Sequence, residues 1–322
     1  MNFSLNTNRE DLSLMQSTIA KFCEAEIAPE YDKWENEGIF PRDLWNKLGQ
    51  AGLLCVDIPE KYGGHGADAE MALNIPCGIA CGNYGSVAVG MSVHSDIVAH
   101  YILNRGNENQ KLHYLPKMVT GELVGAIAMT EPAAGSDLQG IQTKAKKQNG
   151  GWVLNGSKTF ITNGQHADFV VTVAKTNPNV KGSSGVSLFL VDTSLKGFSR
   201  GRNLEKLGLH SSDTSELFFD EVEVPDSAIL GEVDQGFITL MTELPRERLA
   251  LAMSAVAAME YMMDITKKYV SERKAFGKEL STFQNTRFKM AKLQTELRLN
   301  KAFIKECVGL FSEGKLDAAT AS

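Results

Sequence analysis

The sequence predicts an α+β multidomain chain: an N-terminal all-α domain, a central antiparallel β domain of sandwich or barrel type, and a C-terminal α-helical bundle. Three observations predict it. Apolar residues recur at helical spacing over residues 10–118; short β-branched or aromatic runs divided by glycine-containing turns fill residues 123–224; and the helical period returns from Gly236. The change of texture assigns residues 1–120 to the first domain, 121–235 to the second and 236–322 to the third. A length of 322 residues accommodates two or three such units, each with its own core.

In the first zone Leu12, Met15, Ile19 and Phe22 share one helical face. Pro29, Pro41, Gly52 and Tyr62-Gly63-Gly64 punctuate the zone, the last as a structural turn. A helix of small residues is expected over Gly82–Leu103, with Val87, Val89, Met91, Val93 and Ile97 along it. In the second zone the strand candidates are Val124–Met129, Trp152–Leu154, Lys158–Thr162, Phe169–Ala174, Val186–Val191 and Leu217–Val224. Asn149-Gly150-Gly151 and Asn155-Gly156 read as the turns between them, and no helices intervene, which argues for antiparallel pairing. Lys144, Lys146 and Lys147 follow the strand period as a solvated edge that discourages further pairing.

In the third zone Leu249–Met263 is apolar almost all round, the pattern of a helix buried on every side. A second helix is expected from Phe283 to Phe311, with Met290, Leu293, Leu297, Ile304 and Val308 on one stripe and Gly314 as its stop. Asp317 reads as the N-cap of a further helix, yet only Ala318–Ser322 follow, too few residues to nucleate alone. Two long helices with apolar faces need bundle partners, so the expectation is a C-terminal bundle that is truncated.

Composition narrows the function. Lys and Arg total 33 against 39 Asp and Glu, a net charge of −6 without a basic stripe, which sets nucleic-acid binding aside. Apolar residues at 43% and charged residues at 22% match a globular protein rather than a disordered one. No unbroken apolar run of about 20 residues is present, so no integral membrane segment is expected. The polar Met1–Glu10 start lacks a signal-type hydrophobic region, and a soluble intracellular protein is expected. The cysteines, Cys23, Cys55, Cys77, Cys81 and Cys307, are odd in number and dispersed, which fits neither a disulfide framework nor a zinc site; Cys77 and Cys81 read as small apolar residues on a buried helix face. His94 and His100 lack ligand partners at metal-binding spacing, so both read as core or surface histidines and no metal site is expected. No G-x-G-x-x-G opens a helix after a strand, and neither a P-loop nor G-x-S-x-G occurs.

The densest polar cluster is Ala128-Met129-Thr130-Glu131-Pro132-Ala133-Ala134-Gly135-Ser136-Asp137-Leu138-Gln139-Gly140. Small residues there could let backbone N–H groups approach a flavin or a phosphate, but composition alone favours an ordinary solvated loop. Position for position, this stretch resembles the N-terminal signature of the acyl-CoA dehydrogenases. Pro59–Gly64, Thr159–Gly164, Leu217–Pro225 and Glu272–Lys278 resemble further landmarks of that family, in the family's order, over essentially the whole chain.

The resemblance implies a flavoprotein oxidoreductase of fatty acid β-oxidation, converting a fatty acyl-CoA to trans-2-enoyl-CoA with FAD as cofactor. It implies that Met129, Thr130, Gly135 and Ser136 line the flavin site, that Ser136 also faces the thioester, and that Phe160, Ile161 and Thr162 lie beside the isoalloxazine ring. Phe160 stands where several members have tryptophan, which keeps a planar apolar ring. Arg273 and Gln284 match positions that reach the FAD of a neighbouring subunit in a homotetramer, a role for which the guanidinium fork suits a pyrophosphate.

The chemistry needs a carboxylate made basic by burial to take the α-proton. Most of the family carries it near the C-terminus, in a region without a counterpart in these residues. The subgroup of long-chain and isovaleryl-type members carries it instead just before an arginine on the helix opening the last domain, and Glu243-Leu244-Pro245-Arg246-Glu247-Arg248-Leu249 has that form, closest to the long-chain type. By that resemblance Glu247 is the base and Arg248 a substrate contact, with Glu243 a weaker candidate. A competing reading makes Pro245 the first residue of a helix and Glu247 a carboxylate that merely complements the helix dipole. The family reading hands the electrons to an electron-transfer flavoprotein. The alternatives are an acyl-CoA oxidase that uses oxygen and a non-catalytic scaffold or fragment, the latter disfavoured by retention of Thr130, Gly135 and Ser136. Either a bacterial cytoplasm or a mitochondrial matrix fits. Acyl-chain length depends on pocket depth and is not legible here.

Overall fold

The computed structural model describes residues 9–148, 150–180 and 184–322, so Asn149 of the expected Asn149-Gly150-Gly151 turn lies outside the described residues. The architecture is the expected one, helical, then β, then helical. The first layer holds α1 (Glu10–Phe22), α2 (Tyr31–Glu37), α3 (Asp43–Gln50), α4 (Ala69–Cys81), α5 (Gly85–Ser92), α6 (Ala99–Arg105) and α7 (Glu108–Val119). Asp68 caps α4 by accepting from the Met71 N–H at 2.8 Å, and Asn107 with Gln110 forms a capping box on α7. From Met71 to Cys81 every residue of α4 is buried, and Gly78 lets Ile19 of α1 approach so closely that a Cβ would stand 3.1 Å from its Cδ1.

The helix expected over Gly82–Leu103 is split in a particular way. Gly82 caps α4, Asn83 is left-handed at φ 72°, and the new helix starts at Gly85. It continues to Arg105 through a π-helical turn, Val93–Val98, whose extra residue per turn brings His94, Ser95 and Asp96 into the interior together. His94 is a core histidine: its Nδ1 accepts from the Gly125 N–H at 3.2 Å and its Nε2 lies 3.0 Å from the Met118 carbonyl, a pairing that requires the neutral Nε2–H tautomer. Burial pushes its imidazole down to about 4.

The β layer contains β1 (Gly125–Ala128), β2 (Lys144–Gln148), β3 (Gly151–Thr162), β4 (Phe169–Lys175), β5 (Val186–Asp192), β6 (Phe198–Asn203), β7 (Thr214–Pro225) and β8 (Ile229–Leu230). Their order is β6-β7-β3-β2-β4-β5-β8, with β1 lying parallel against β4 and most other pairs antiparallel. Asn155-Gly156 is not a turn, as expected from sequence, but a bulge inside the single strand β3. The register with β7 shifts there, and Gly156, at φ 151°, lies so close to β2 that a Cβ would stand 2.5 Å from Thr143 Oγ1. Lys144, Lys146 and Lys147 are solvent-facing as expected, but β2 is not a free edge: it pairs along its length with β3 and, at Lys144, with Lys175 of β4.

Strand β4 buries both faces. Phe169, Val171 and Val173 join the core beneath the helices, while Val170 and Ala174 join Trp152, Leu154, Phe189, Leu217 and Phe219 on the opposite face.

The last layer is α8 (Gly236–Glu272) and α9 (Gln284–Ser312), joined through the hairpin β9 (Lys274–Ala275) and β10 (Lys278–Glu279), followed by α10 (Ala318–Ala321). Phe276 and Gly277 are left-handed at φ 52° and 75°, the signature of a type I′ hairpin turn. Two expectations about α8 are corrected. Pro245 does not open the helix; it lies inside it, nine residues from the start, because the helix is anchored by buried side chains on both sides of the proline. Nor is Leu249–Met263 buried on every side. Leu249, Ala250, Met253, Val256 and Ala257 pack with Leu73, Cys77 and Cys81 of α4 and Leu297 and Ile304 of α9, whereas Leu251 and Met262 are 68% and 60% exposed.

An apolar composition does not specify how many neighbours a helix has. By length and composition α8 also passes as long enough to cross a bilayer, which run-length reading did not register, but its packed face is that of a bundle helix. On α9, Leu297, Ile304 and Val308 are buried as expected and Leu293 is 50% exposed. Asp317 caps α10 through the Ala319 and Thr320 N–H groups, at 2.9 and 3.0 Å.

Candidate active site

The loop that leaves β1 is held from below by a buried ion pair. Glu131 Oε1 accepts from Lys158 Nζ at 2.8 Å and from the Thr143 N–H at 3.0 Å, and Oε2 accepts from the Gln142 N–H at 2.6 Å. Lys158 Nζ also donates to the Met129 carbonyl at 3.2 Å. Burial pushes the Lys158 ammonium down to about 8 against the pull of Glu131. For Glu131, burial acts upward, but Lys158 and the surrounding donors outweigh it and hold the carboxyl below its ordinary range. The Thr159 N–H donates to the Thr130 carbonyl at 3.0 Å, tying the loop to β3. Met129 and Thr130 are therefore half-buried at the root of the loop, while Gly135 and Ser136 are exposed at its tip.

Next to this root, β3 slips register a second time, between Lys158 and Ile161. The slip puts Phe160 at φ 58°, a conformation that costs a bulky residue about 1 kcal/mol or more, and leaves its ring 67% exposed while Ile161 turns into the core. No intramolecular hydrogen bond engages the hydroxyls of Thr130, Ser136 or Thr162 among the described residues, and a Cβ on Gly135 would meet nothing within 4 Å. An exposed aromatic face, uncommitted hydroxyls and an open glycine suit a planar heteroaromatic ring that carries hydrogen-bonding edges, so these residues fit a flavin.

The second half of the site is on α8. Glu247 is half-buried, and its Oε1 accepts from the phenol of Tyr101 on α6 at 2.8 Å. Burial raises the Glu247 carboxyl above its ordinary range; the Tyr101 hydrogen bond and Arg248 act downward and nearby Glu243 acts upward. Glu243, one turn earlier, is buried, accepts from Asn104 Nδ2 at 2.9 Å and lies 3.4 Å from Arg105 Nε. Its commitment to α6 leaves Glu247 as the freer carboxylate. The helical segment 85–105 packs on β1 as well as on α8, so it is the common support of the loop and of Glu247.

Between those two residues, Arg246 also points into the helical layer, onto different partners. Its Nη2 lies 2.7 Å from Asp57 Oδ2 and 3.5 Å from Asp96 Oδ1, and its Nε donates to the Asp96 carbonyl at 3.0 Å. His100 Nε2 stands 3.0 Å from Asp57 Oδ2. Burial acts upward on Asp57 but His100 and Arg246 outweigh it, holding its carboxyl at about 2; burial pushes Asp96 up to about 7. This network fixes the register of α8 against the helical layer, and with it the position of the next residue, Glu247.

The structure thus gathers Met129, Thr130, Phe160, Ile161 and Thr162 around one loop root, with Gly135 and Ser136 above it. Arg248 is exposed and donates to Ser322 Oγ at 2.9 Å. Arg273 and Gln284 lie exposed at the opposite end of α8. At 1.5 Å rise per residue, Arg273 is about 39 Å along the helix from Glu247. Sequence reasoning missed Tyr101, Asp57, Asp96, Arg246, Glu131 and Lys158. A signal existed only for Glu131, inside the polar cluster; the others acquire meaning from partners far away in the chain.

The acyl-CoA dehydrogenase N-terminal, middle and C-terminal domain families match residues 9–122, 126–222 and 234–322. The chain is 46% identical over 310 residues to the mitochondrial long-chain specific acyl-CoA dehydrogenase of Sus scrofa, covering 96% of this chain and 72% of that one. Among solved structures it resembles an acyl-CoA dehydrogenase from Geobacillus kaustophilus, with TM-score 0.96 and 44% identity, covering 99% of this chain and 83% of that one. It also resembles a glutaryl-CoA dehydrogenase from Mycobacterium smegmatis in complex with FADH2, with TM-score 0.90 and 27% identity, covering 97% and 79% of the two chains.

Proposed function

Because this chain belongs to the acyl-CoA dehydrogenase family and is a flavin-dependent oxidoreductase, we propose that it oxidises a long-chain fatty acyl-CoA to the trans-2-enoyl-CoA, with Glu247 as the base. The observation that carries this reading is Glu247 itself: a carboxylate on α8, raised in basicity by burial and held by one hydrogen bond, on the helix whose support also carries the loop Met129–Ser136. A carboxylate so placed removes the α-proton of a thioester at neutral pH, since burial brings its proton affinity towards that of the operating medium. The flavin, FAD in this reading, supplies a hydride acceptor at N5 for the β-hydrogen. Thr130, Gly135 and Ser136 would hold its polar edge, Met129 and Phe160–Thr162 its ring, and Ser136 the thioester side; Arg248 would contact substrate.

Arg273, about 39 Å along α8 from Glu247, does not serve the flavin beside Glu247 of its own chain in this reading, and Gln284, at the start of α9, is grouped with it. We assign them to the FAD of a neighbouring subunit in a homotetramer. The division at residues 120 and 235 belongs to the same reading, as do an electron-transfer flavoprotein as acceptor and a bacterial cytoplasm or mitochondrial matrix as location. The test is anaerobic mixing of the FAD-loaded protein with acyl-CoAs of graded chain length. Wild type is expected to bleach near 450 nm (approximate flavin band), best with long chains, and Glu247→Gln to retain FAD without bleaching. Undiminished bleaching by the variant refutes the assignment of the base.

A further inference from the structure

Resting on Glu247 as the base, we propose that Tyr101 is its positioning residue, holding Oε1 so that the other carboxylate oxygen is left for the substrate proton and stabilising the ionised, proton-accepting form. The geometry is specific. The Tyr101 side chain is fully buried, its hydroxyl donates to Glu247 Oε1 at 2.8 Å, and that is its hydrogen bond among the described residues. A buried phenol needs such a partner, and a half-buried carboxylate with one oxygen tied loses rotational freedom about its last side-chain bond.

Tyr101 reaches Glu247 from a different layer, so α6 and α8 must stay in register for the contact to exist. The Arg246 network with Asp57 and Asp96 supplies that register from the preceding position on α8. Only a donor suits this place. Glu243 lies one helical turn away and repels a second negative charge, and its own partners, Asn104 and Arg105, also come from α6. Arg248, on α8, is exposed and turned to Ser322. The Tyr101 phenol is pushed far up by its burial and by the two glutamates, so it keeps its proton and acts as a donor throughout the working range.

The sign follows. A donor to the carboxylate favours its charged form, so removing it must raise the pH at which Glu247 becomes a competent base. In the FAD-loaded protein, washout of deuterium from the α-position of an acyl-CoA is followed by mass spectrometry across pH for wild type, Tyr101→Phe and Glu247→Gln. Tyr101→Phe is expected to move the acid limb up by about one pH unit, the shift equivalent to losing one hydrogen bond to a charged group. Tyr101→3-fluorotyrosine, whose phenol is the stronger donor and whose bulk is nearly unchanged, is expected to move it down and covers the case of a Tyr101→Phe protein that does not fold.

A limb that stays at the wild-type pH in these variants, or moves in the opposite sense, overturns the role of Tyr101. Glu247→Gln separates this failure from failure of the underlying reading: washout that persists in that variant rejects Glu247 as the base, whereas its loss beside an unmoved limb rejects Tyr101 alone.

Discussion

Replacing Arg246 with methionine removes the guanidinium that faces two buried carboxylates while keeping an unbranched stem in the space. Arg246 is 7% exposed, and Asp57 and Asp96 face it from the helical layer at 2.7 and 3.5 Å. Breaking a buried ion pair by deleting one partner costs about 3–5 kcal/mol, because the survivor stays charged and desolvated. The loss also depends on pH, and its direction follows from the two carboxyls. Asp57, depressed to about 2, contributes stability that is present above its unfolded value of about 3.9 and is lost as pH falls below it.

Asp96, raised to about 7, does the opposite: its contribution is full in acid and is lost as pH climbs through 7. Without Arg246 the Asp96 carboxyl moves higher still, so at pH 5.5 it is already neutral and His100 remains beside Asp57. Arg246→Met is therefore expected to lose about 3–5 kcal/mol at pH 7.5 and up to about 1 kcal/mol less than that at pH 5.5, because only the half pH unit above 7 separates the two states, each pKa unit being worth about 1.4 kcal/mol. Urea unfolding at the two pH values, followed by circular dichroism and by tryptophan fluorescence with coincident transitions, measures it. A loss below about 1 kcal/mol at both pH values, or a larger loss in acid, refutes the assignment of the network.

Lys158→Met leaves Glu131 buried with its backbone donors but without its cation; a destabilisation of about 3 kcal/mol is expected, with weaker FAD retention because the loop root loosens, both read by thermal melting with and without added FAD. Phe160→Ala removes a ring that is 67% exposed and in a strained conformation, so thermal stability of the flavin-free protein should change by less than about 1 kcal/mol. FAD affinity, measured by flavin fluorescence, should fall at least about tenfold with loss of the stacking face. An unchanged affinity would remove Phe160 from the flavin site.

How much of this was legible in the chain differs by kind of feature. The stop at Gly314, the α9 stripe and the cap at Asp317 are local, and local chemistry is what a sequence displays directly. The loop Met129–Ser136 was legible as a cluster of small and hydroxyl-bearing residues, but not the buried Glu131–Lys158 pair that holds it up, since lysine in a strand pattern ordinarily faces water. Asn155-Gly156 was misread because asparagine-glycine serves a hairpin turn and a strand bulge equally, and only the facing Thr143 and Glu221 distinguish them.

The sequence by itself determined the order of helical and β segments and nominated Glu247 with its flanking arginine. Only the tertiary structure decided that Pro245 sits within α8 rather than at its start, that Arg246 turns inward onto Asp57, 189 residues away, and that Tyr101, 146 residues away, holds the carboxylate. The reason is physical: helix and turn preferences act between residues a few positions apart, whereas burial, ion pairing and the proton affinity that follows from them depend on which distant segments exclude water from one another.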